Sequence, residues 1–524
     1  MSSRTSNSAK NVSTSLFGQV LAIALNFAVR TVFIYTLTES YLGINGLLSS
    51  ILSVLTLTDL GLANVMVYAL FKPMAERDVE KAKSLLRFYR NAFRTVGLVF
   101  FALGMALLPF LPYLAKGSTD LVDLKLVYFL YVLDTLSSYL FFAYMQSVPN
   151  ADQKSYRLAG IHYISEIATA AVRCLCLLLF RKTPALSFYV YAGVGVLSKA
   201  LTNIVRNGKI RRLYPWTKDR EVTPLAREDR NDILKNAAGI TTSRICSVLN
   251  DGIDSTIVSA LVGLAETGIF SNYIFIRRYL HKILSSIFGS IHASIGNLFA
   301  VESREKKESF FKSLQLMYFW TYGFCAICLW MLYDVFITVV WHTRLLSQFC
   351  VFLLVFNFLI EGIAGAAVKY RDVAGMYWKT RYRYIISSVF NAVISVVLTG
   401  PLHMGVAGAL LGTTASLVIM LSYDPVIVYR DIFQKKAREY YRTYFLLLFL
   451  ALGTGALVHV LGLPFSGYTW GNLVIRLLLC LAVPNGLWYL IFRKDPRFIY
   501  LRDTALGLWR RILAKVRRRG GAGA

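Results

Sequence analysis

The stretch Ala75-Glu-Arg-Asp-Val-Glu80-Lys81-Ala-Lys-Ser84-Leu-Leu86 returns 225 residues later as Ala300-Val-Glu-Ser-Arg-Glu305-Lys306-Lys-Glu-Ser309-Phe-Phe311. The alanine, the Glu-Lys pair, the serine and the apolar pair fall in register. The same offset carries Gly43-Ile44 onto Gly268-Ile269, and the gap near 150–157 onto that near 375–382. Any one match is chance. A common offset that also preserves the surrounding apolar pattern marks an internal repeat.

Fourteen apolar runs surround these anchors, at 12–38, 42–71, 91–113, 124–148, 156–180, 185–205, 235–262, 268–300, 311–341, 345–368, 383–400, 404–428, 441–462 and 472–492. Each is about the 20 residues a helix needs to cross the hydrocarbon core. Basic clusters fall in every second gap: Arg77 to Arg90, Lys154 with Arg157, Arg206 to Arg220, Arg304 to Lys312, Lys369 to Arg383, and Arg430 to Arg442. The positive-inside rule therefore places those gaps, and both termini, in the cytoplasm. The pattern predicts an all-α polytopic membrane protein of about 14 transmembrane helices. An even number of spans per repeat makes the copies parallel, related by a pseudo-two-fold axis along the membrane normal. The expected organisation is an N-lobe of six helices at 1–206, a cytoplasmic linker at 207–231 and a C-lobe of six helices at 232–431. Two extra helices at 432–492 and a basic amphipathic tail at 493–524 follow.

Composition agrees. The chain is 56% hydrophobic with a mean hydropathy of +0.52, too apolar for a soluble domain of 524 residues. Its net charge of +28 lies in alternate loops, which points to anionic inner-leaflet lipid rather than nucleic acid. The first apolar run is too long for a cleavable signal and is expected to remain as the first span. Cys325-x-x-Cys328 lies in an apolar run and lacks a second pair, so it reads as packing rather than as a metal or redox motif. No metal or organic cofactor is expected; energy would come from a coupling ion, H+ or Na+, or from the membrane potential. There is no P-loop, no G-x-S-x-G and no loop long enough for a nucleotide-binding domain, so neither an ATP-driven pump nor an enzyme is expected.

An ionisable residue within a span costs roughly 2.5–3.5 kcal/mol on insertion scales and calls for a reason. Gln19, Asn26 and Arg30 follow Ser15 on one face of the first span. Asn45, Ser49, Ser53, Thr56 and Asp59 form a stripe in the second. Arg244, Ser247, Asp251, Asp254 and Ser255 share a face of the seventh, and the eighth carries Arg277, Arg278 and His281. These stripes belong to the first two helices of each copy, so the repeat predicts that they face one another around a cavity. Arginine suits such a cavity if the ligand is a phosphate, because its planar fork meets phosphate oxygens bidentately and stays charged. The competing reading is internal pairing, for example Arg30 with Asp254. Gly43 and Gly268, just after outside turns, are expected to form an outer gate by close approach. Asp134, Glu166, Arg173, Lys199 and Glu361 are further intramembrane charges with weaker patterns.

Tyr41-Leu-Gly-Ile-Asn-Gly-Leu-Leu48, Leu57-Thr-Asp-Leu-Gly-Leu62 and Tyr68-Ala-Leu-Phe-Lys72-Pro73 resemble the N-terminal pattern of bacterial polysaccharide and O-antigen flippases. These form a branch of the multidrug/oligosaccharidyl-lipid/polysaccharide (MOP) exporter superfamily. Asp152-Gln-Lys-Ser155-Tyr, Gly268-Ile-Phe-Ser-Asn272-Tyr, Arg371-Asp-Val-Ala-Gly375-Met-Tyr-Trp378 and Gly405-Val-Ala-Gly408 are similar to it in the same order. Family members commonly carry Glu where Asp59 stands. The resemblance implies a bacterial cytoplasmic membrane protein that moves an undecaprenyl-diphosphate-linked oligosaccharide to the outer leaflet by alternating access. It also implies a polysaccharide polymerase and glycosyltransferases as partners, and a diphosphate-binding role for Arg30 and for Arg277 or Arg278. Two rivals remain: an ion-coupled small-molecule antiporter of the same superfamily, and a membrane polymerase or ligase of lipid-linked glycans.

Overall fold

The computed structural model describes residues 2–56, 62–115, 121–152, 154–219, 223–225, 227, 230–231, 253–291, 295–296, 298–299, 302–376, 379–504 and 506–507. All regular structure among them is helical. The principal helices are α1 (Ser2–Thr36), α2 (Glu39–Leu55), α3 (Leu62–Glu76), α4 (Val79–Leu107), α5 (Leu124–Leu140), α6 (Tyr156–Leu179), α7 (Pro184–Leu213) and α8 (253–261). They continue with α9 (Leu264–Ser290), α10 (Arg304–Phe336), α11 (Gln348–Val373), α12 (Arg381–Thr399), α13 (Val406–Val428), α14 (Arg438–Gly462) and α15 (Trp470–Phe492).

The 225-residue offset reappears in where helices begin. It carries Glu39, Val79 and Tyr156, the first residues of α2, α4 and α6, onto Leu264, Arg304 and Arg381, the first residues of α9, α10 and α12. Even a cap is repeated. Asp78 accepts from the Lys81 amide ahead of α4, and Ser303, its counterpart, accepts from the Lys306 amide ahead of α10. Either side chain satisfies an amide that the first helical turn leaves without a carbonyl.

Among the described residues, ten helices are long and apolar enough to cross a membrane: those spanning Phe17–Thr36, Val79–Leu114, Tyr156–Leu179, Pro184–Leu213, Arg304–Trp341, Gln348–Val373, Tyr382–Thr399, Val406–Phe433, Arg438–Phe465 and Trp470–Phe492. The expected span at 124–148 is a bent pair. α5 stops where Phe142 adopts a left-handed φ of 57°, and helix resumes through Ser147–Ala151 after a 44° bend. The remaining three of the fourteen expected spans are not recovered as single long apolar helices. In the run at 42–71, α2 and α3 are described on either side of residues 57–61, which lie outside the described residues, as does most of 235–262. α9, from the run at 268–300, carries Arg277, Arg278, His281 and Lys282 and is too polar to qualify by composition.

Backbone contacts group the chain into two compact units, Met1–Tyr279 with Ala392–Ala409, and Leu280–Asn391 with Leu410–Ala524. Within the first, α6 lies between α1 and α7, and α5 packs on α2, α4 and α7. α6 turns Ile164, Leu175 and Leu179 outward, as a helix bathed in lipid does. Within the second, α10 is the hub against α11, α14 and α15. Phe288 stacks on Tyr318 at 3.8 Å between centroids, and Gly362 and Gly365 of α11 admit the rings of Tyr322 and Tyr318. The Trp488 indole is buried against Phe319 and donates to Thr454 at 3.0 Å.

Two arginines of the basic gap at 369–383 are buried: Arg371 and Arg383 are each 1% exposed. Arg371 donates to both carboxylate oxygens of Asp424, at 3.0 and 3.1 Å, and to Asp372 and Tyr384 at 2.7 Å. Arg383 bonds the same Asp424, itself 2% exposed, and lies 4.0 Å over the Tyr384 ring. The two arginines and two carboxylates balance, which is how such charges tolerate a low-dielectric site.

Candidate functional site

The first unit contains a partly open cavity of about 430 Å³. Helices that carry the polar stripes surround it: α1 gives Asn26 and Arg30, α2 gives Asn45, Ser49, Ser53 and Thr56, α8 gives Ser255, and α9 gives Ser271 and Arg278. α5, α6 and α7 close the wall with Tyr131, Asp134, Arg173 and Tyr191. Each stripe reaches the cavity because a four-residue step returns a helix to nearly the same face.

Arg30 is 8% exposed, and one Nη of its guanidinium donates to Ser271 Oγ at 2.6 Å and to Asn272 Oδ1 at 2.7 Å. Its plane lies 5.3 Å from the Phe275 ring centroid. These partners are neutral, so they hold the charge without cancelling it. Its Nε has no hydrogen-bond partner. Arg173 lies 4.5 Å from the Tyr191 centroid, within cation–π range, and its Nε is also unsatisfied. Asp134 is the one described carboxylate that lines the cavity, and Lys199 already holds it at 2.7 Å. Among the described lining residues, three guanidinium groups therefore stand against a single carboxylate, and Lys199 holds it. Tyr131 donates to Asn45, setting the amide on α2.

The sequence-predicted residues separate into three groups. Arg30, Asn26 and Arg278 line the cavity; Asn26 also donates to the Ala22 carbonyl at 2.7 Å. Gln19, Arg277 and Asp254 do not line it, although Asp254 is buried beside Ser255. Asp59, Arg244 and Asp251 lie outside the described residues. Tyr131 and Tyr191 were not legible as site residues, because tyrosines recur throughout the spans and these two had no distinguishing pattern. Arg173 and Asp134 had shown as intramembrane charges without a partner helix to assign.

Gly43 and Gly268 meet across the α2–α9 contact. A Cβ on Gly43 would overlap the Leu264 carbonyl, and one on Gly268 would overlap the Glu39 carbonyl. The offset that relates the two glycines also relates Glu39 to Leu264, so the two contacts are equivalent by the repeat.

No protein-family profile and no curated protein matches the chain. Solved structures do. The lipid II flippase MurJ, in an inward closed conformation, superposes with a TM-score of 0.64 at 14% identity, covering 92% of this chain and 98% of that one. An inward-facing multidrug resistance MATE family transporter of the MOP superfamily gives 0.57 at 13% identity, over 77% and 93%. A MOP superfamily transporter from Pyrococcus furiosus, described as having a binding pocket of reverse polarity, gives 0.52 at 11% identity, over 80% and 95%. At these identities the likeness is one of fold: an all-helical multi-pass membrane fold of the kind MOP superfamily transporters have.

Proposed function

We propose that this chain is a flippase that carries a lipid-linked, undecaprenyl-diphosphate oligosaccharide from the cytoplasmic to the outer leaflet of a bacterial cytoplasmic membrane, for cell-surface polysaccharide biosynthesis. The observation that carries the reading is the cavity's charge: Arg30, Arg173 and Arg278 against Asp134, which Lys199 already engages. A diphosphate leaving water loses a large hydration energy, and preset guanidinium groups replace it. A small cation would meet repulsion there, which disfavours antiport of cationic drugs. The MurJ likeness supports the same reading at the level of fold.

In this scheme the two six-helix repeats rock about the cavity, with both termini cytoplasmic and the polyprenyl tail left in lipid. The Gly43–Gly268 contact is the outer gate in its closed state, and Asn26, Asn45 and Ser49 offer hydrogen bonds to the sugars. Emptying the cavity restores its positive charge, which a negative-inside potential draws back at about 2.3 kcal/mol per charge per 100 mV. Binding of undecaprenyl-diphosphate oligosaccharide to the purified protein tests the reading. Arg30→Gln with Arg278→Gln is expected to weaken it by about tenfold or more, since each charge-assisted bond is worth about 1.5–3 kcal/mol. Equal binding by wild type and variant contradicts it.

A further inference from the structure

A second cationic cavity, of about 500 Å³, opens in the first unit beside the segments that the charge pattern assigns to the cytoplasm. Lys83, Arg87 and Arg90 of α4, Arg211 of α7 and Lys218 line it, against one carboxylate among the described residues, Asp219. Asp219 is already bound to Lys83 at 2.8 Å, and Glu80 takes Lys83 from the other side at 2.8 Å. Arg90, Arg211 and Lys218 have no carboxylate within ion-pair distance among the described residues.

The pocket is built rather than incidental. Its floor rests on a buried apolar cluster of Leu86, Met145, Val148, Leu158, Ile210 and Tyr214, with Trp216 packed against it. The Arg211 guanidinium lies 5.4 Å from the Phe142 centroid and keeps a buried Nε without a hydrogen-bond partner. The Asp219–Lys83 pair and the Thr223–Ser84 hydrogen bond, 3.1 Å long, tie the segment after α7 to the start of α4. Cations held close together by packing, without counter-charge, repel one another, and a multivalent anion relieves that cost.

A third cavity, also about 500 Å³, adjoins both others. It shares Tyr144 with the basic pocket and Thr56 and Thr135 with the central cavity. Ser138, Gln146, Asn150 and Lys199 place polar groups along a wall otherwise formed by Met66, Val67, Phe93 and Tyr139. Arg90, Arg94 and Arg211 act electrostatically on Tyr144 at the first junction.

We infer that the pocket formed by Arg90, Arg211, Lys218 and Trp216 binds a phosphate-bearing group at the cytoplasmic membrane surface, and that the Tyr144-lined cavity conducts it toward Arg30. The phosphate site stands independently; the conducting route rests on the flippase reading. A diphosphate lipid and a resident anionic phospholipid share the chemistry that the pocket recognises.

Lys218 reports on the site locally. The full chain, in phosphatidylcholine nanodiscs, is labelled with an amine-reactive reagent and the modification of Lys218 followed by mass spectrometry. Farnesyl diphosphate, inorganic pyrophosphate and nanodiscs containing phosphatidylglycerol are compared as protectants. Farnesyl diphosphate is expected to slow Lys218 labelling, and Arg90→Gln with Arg211→Gln to raise the concentration required by about tenfold or more. Arg90→Lys with Arg211→Lys should retain most of the protection, separating charge from misfolding. Arg278→Gln should leave protection unchanged, so failure of the central cavity reading is seen separately. Protection by phosphatidylglycerol alone keeps the phosphate site and overturns the route. Unslowed labelling with every probe, or protection indifferent to Arg90 and Arg211, overturns the site.

Discussion

Arg30 shows how far a single residue is legible. Helical spacing places it on the face of Asn26, and the cost of burying a charge marks it as purposeful. Its partners, Ser271 and Asn272, lie more than two hundred residues away, and no local pattern names them. The same limit separates Arg277 from Arg278: adjacent residues sit about 100° apart on a helix, and only packing shows that Arg278 reaches the cavity. Arg30→Ala should abolish transport while costing about 1–3 kcal/mol through the bonds withdrawn from Ser271 and Asn272. Transport and thermal melting measured on the same preparation check both effects. Asp424 behaves differently. Asp424→Asn leaves Arg371 and Arg383 buried with one carboxylate fewer, so a loss of about 3–5 kcal/mol is expected, seen as a lower melting temperature. Replacing Arg383 by Gln in the same protein should recover part of it. The sequence hid this cluster because Asp424 lies 53 and 41 residues from the two arginines.

Among the elements, the close contact of α2 and α9 is the most sensitive joint. Gly43→Ala places a methyl group against the Leu264 carbonyl and should cost about 1–3 kcal/mol. If the joint is the outer gate, the same change should speed labelling of a Ser50→Cys reporter by an impermeant thiol reagent added outside. Gly160→Ala is the control, because open space surrounds that position. A reporter rate equal to that of the parent would remove the gate. The repeat itself was readable because Ala75, Glu80-Lys81 and Ser84 recur in register as Ala300, Glu305-Lys306 and Ser309, beside paired glycines whose close approach leaves few residue choices. Span counting was less secure where function introduces charge. Hydropathy marks α10 and α11 plainly, whereas α9 holds three cations and a histidine within a helix that packs beside the cavity.

For the whole molecule, the all-helical multi-pass fold follows from length, hydropathy and alternating charge, and its likeness to MOP superfamily transporters agrees with that. The cargo is a different kind of inference, since related folds carry unrelated ligands. The feature that bears on the cargo is the set of three guanidinium groups against one carboxylate among the described residues of the central cavity. The direct test is translocation in proteoliposomes, with fluorescent undecaprenyl-diphosphate oligosaccharide in one leaflet and its exposure scored by a membrane-impermeant quencher. Wild type is compared with Arg30→Gln/Arg278→Gln, with and without a membrane potential. The account predicts movement by wild type, faster when the potential favours return of the empty cationic cavity, and little movement by the variant. Well-inserted wild-type protein that leaves every such lipid in place, yet exchanges a small cation for H+ or Na+, would contradict it.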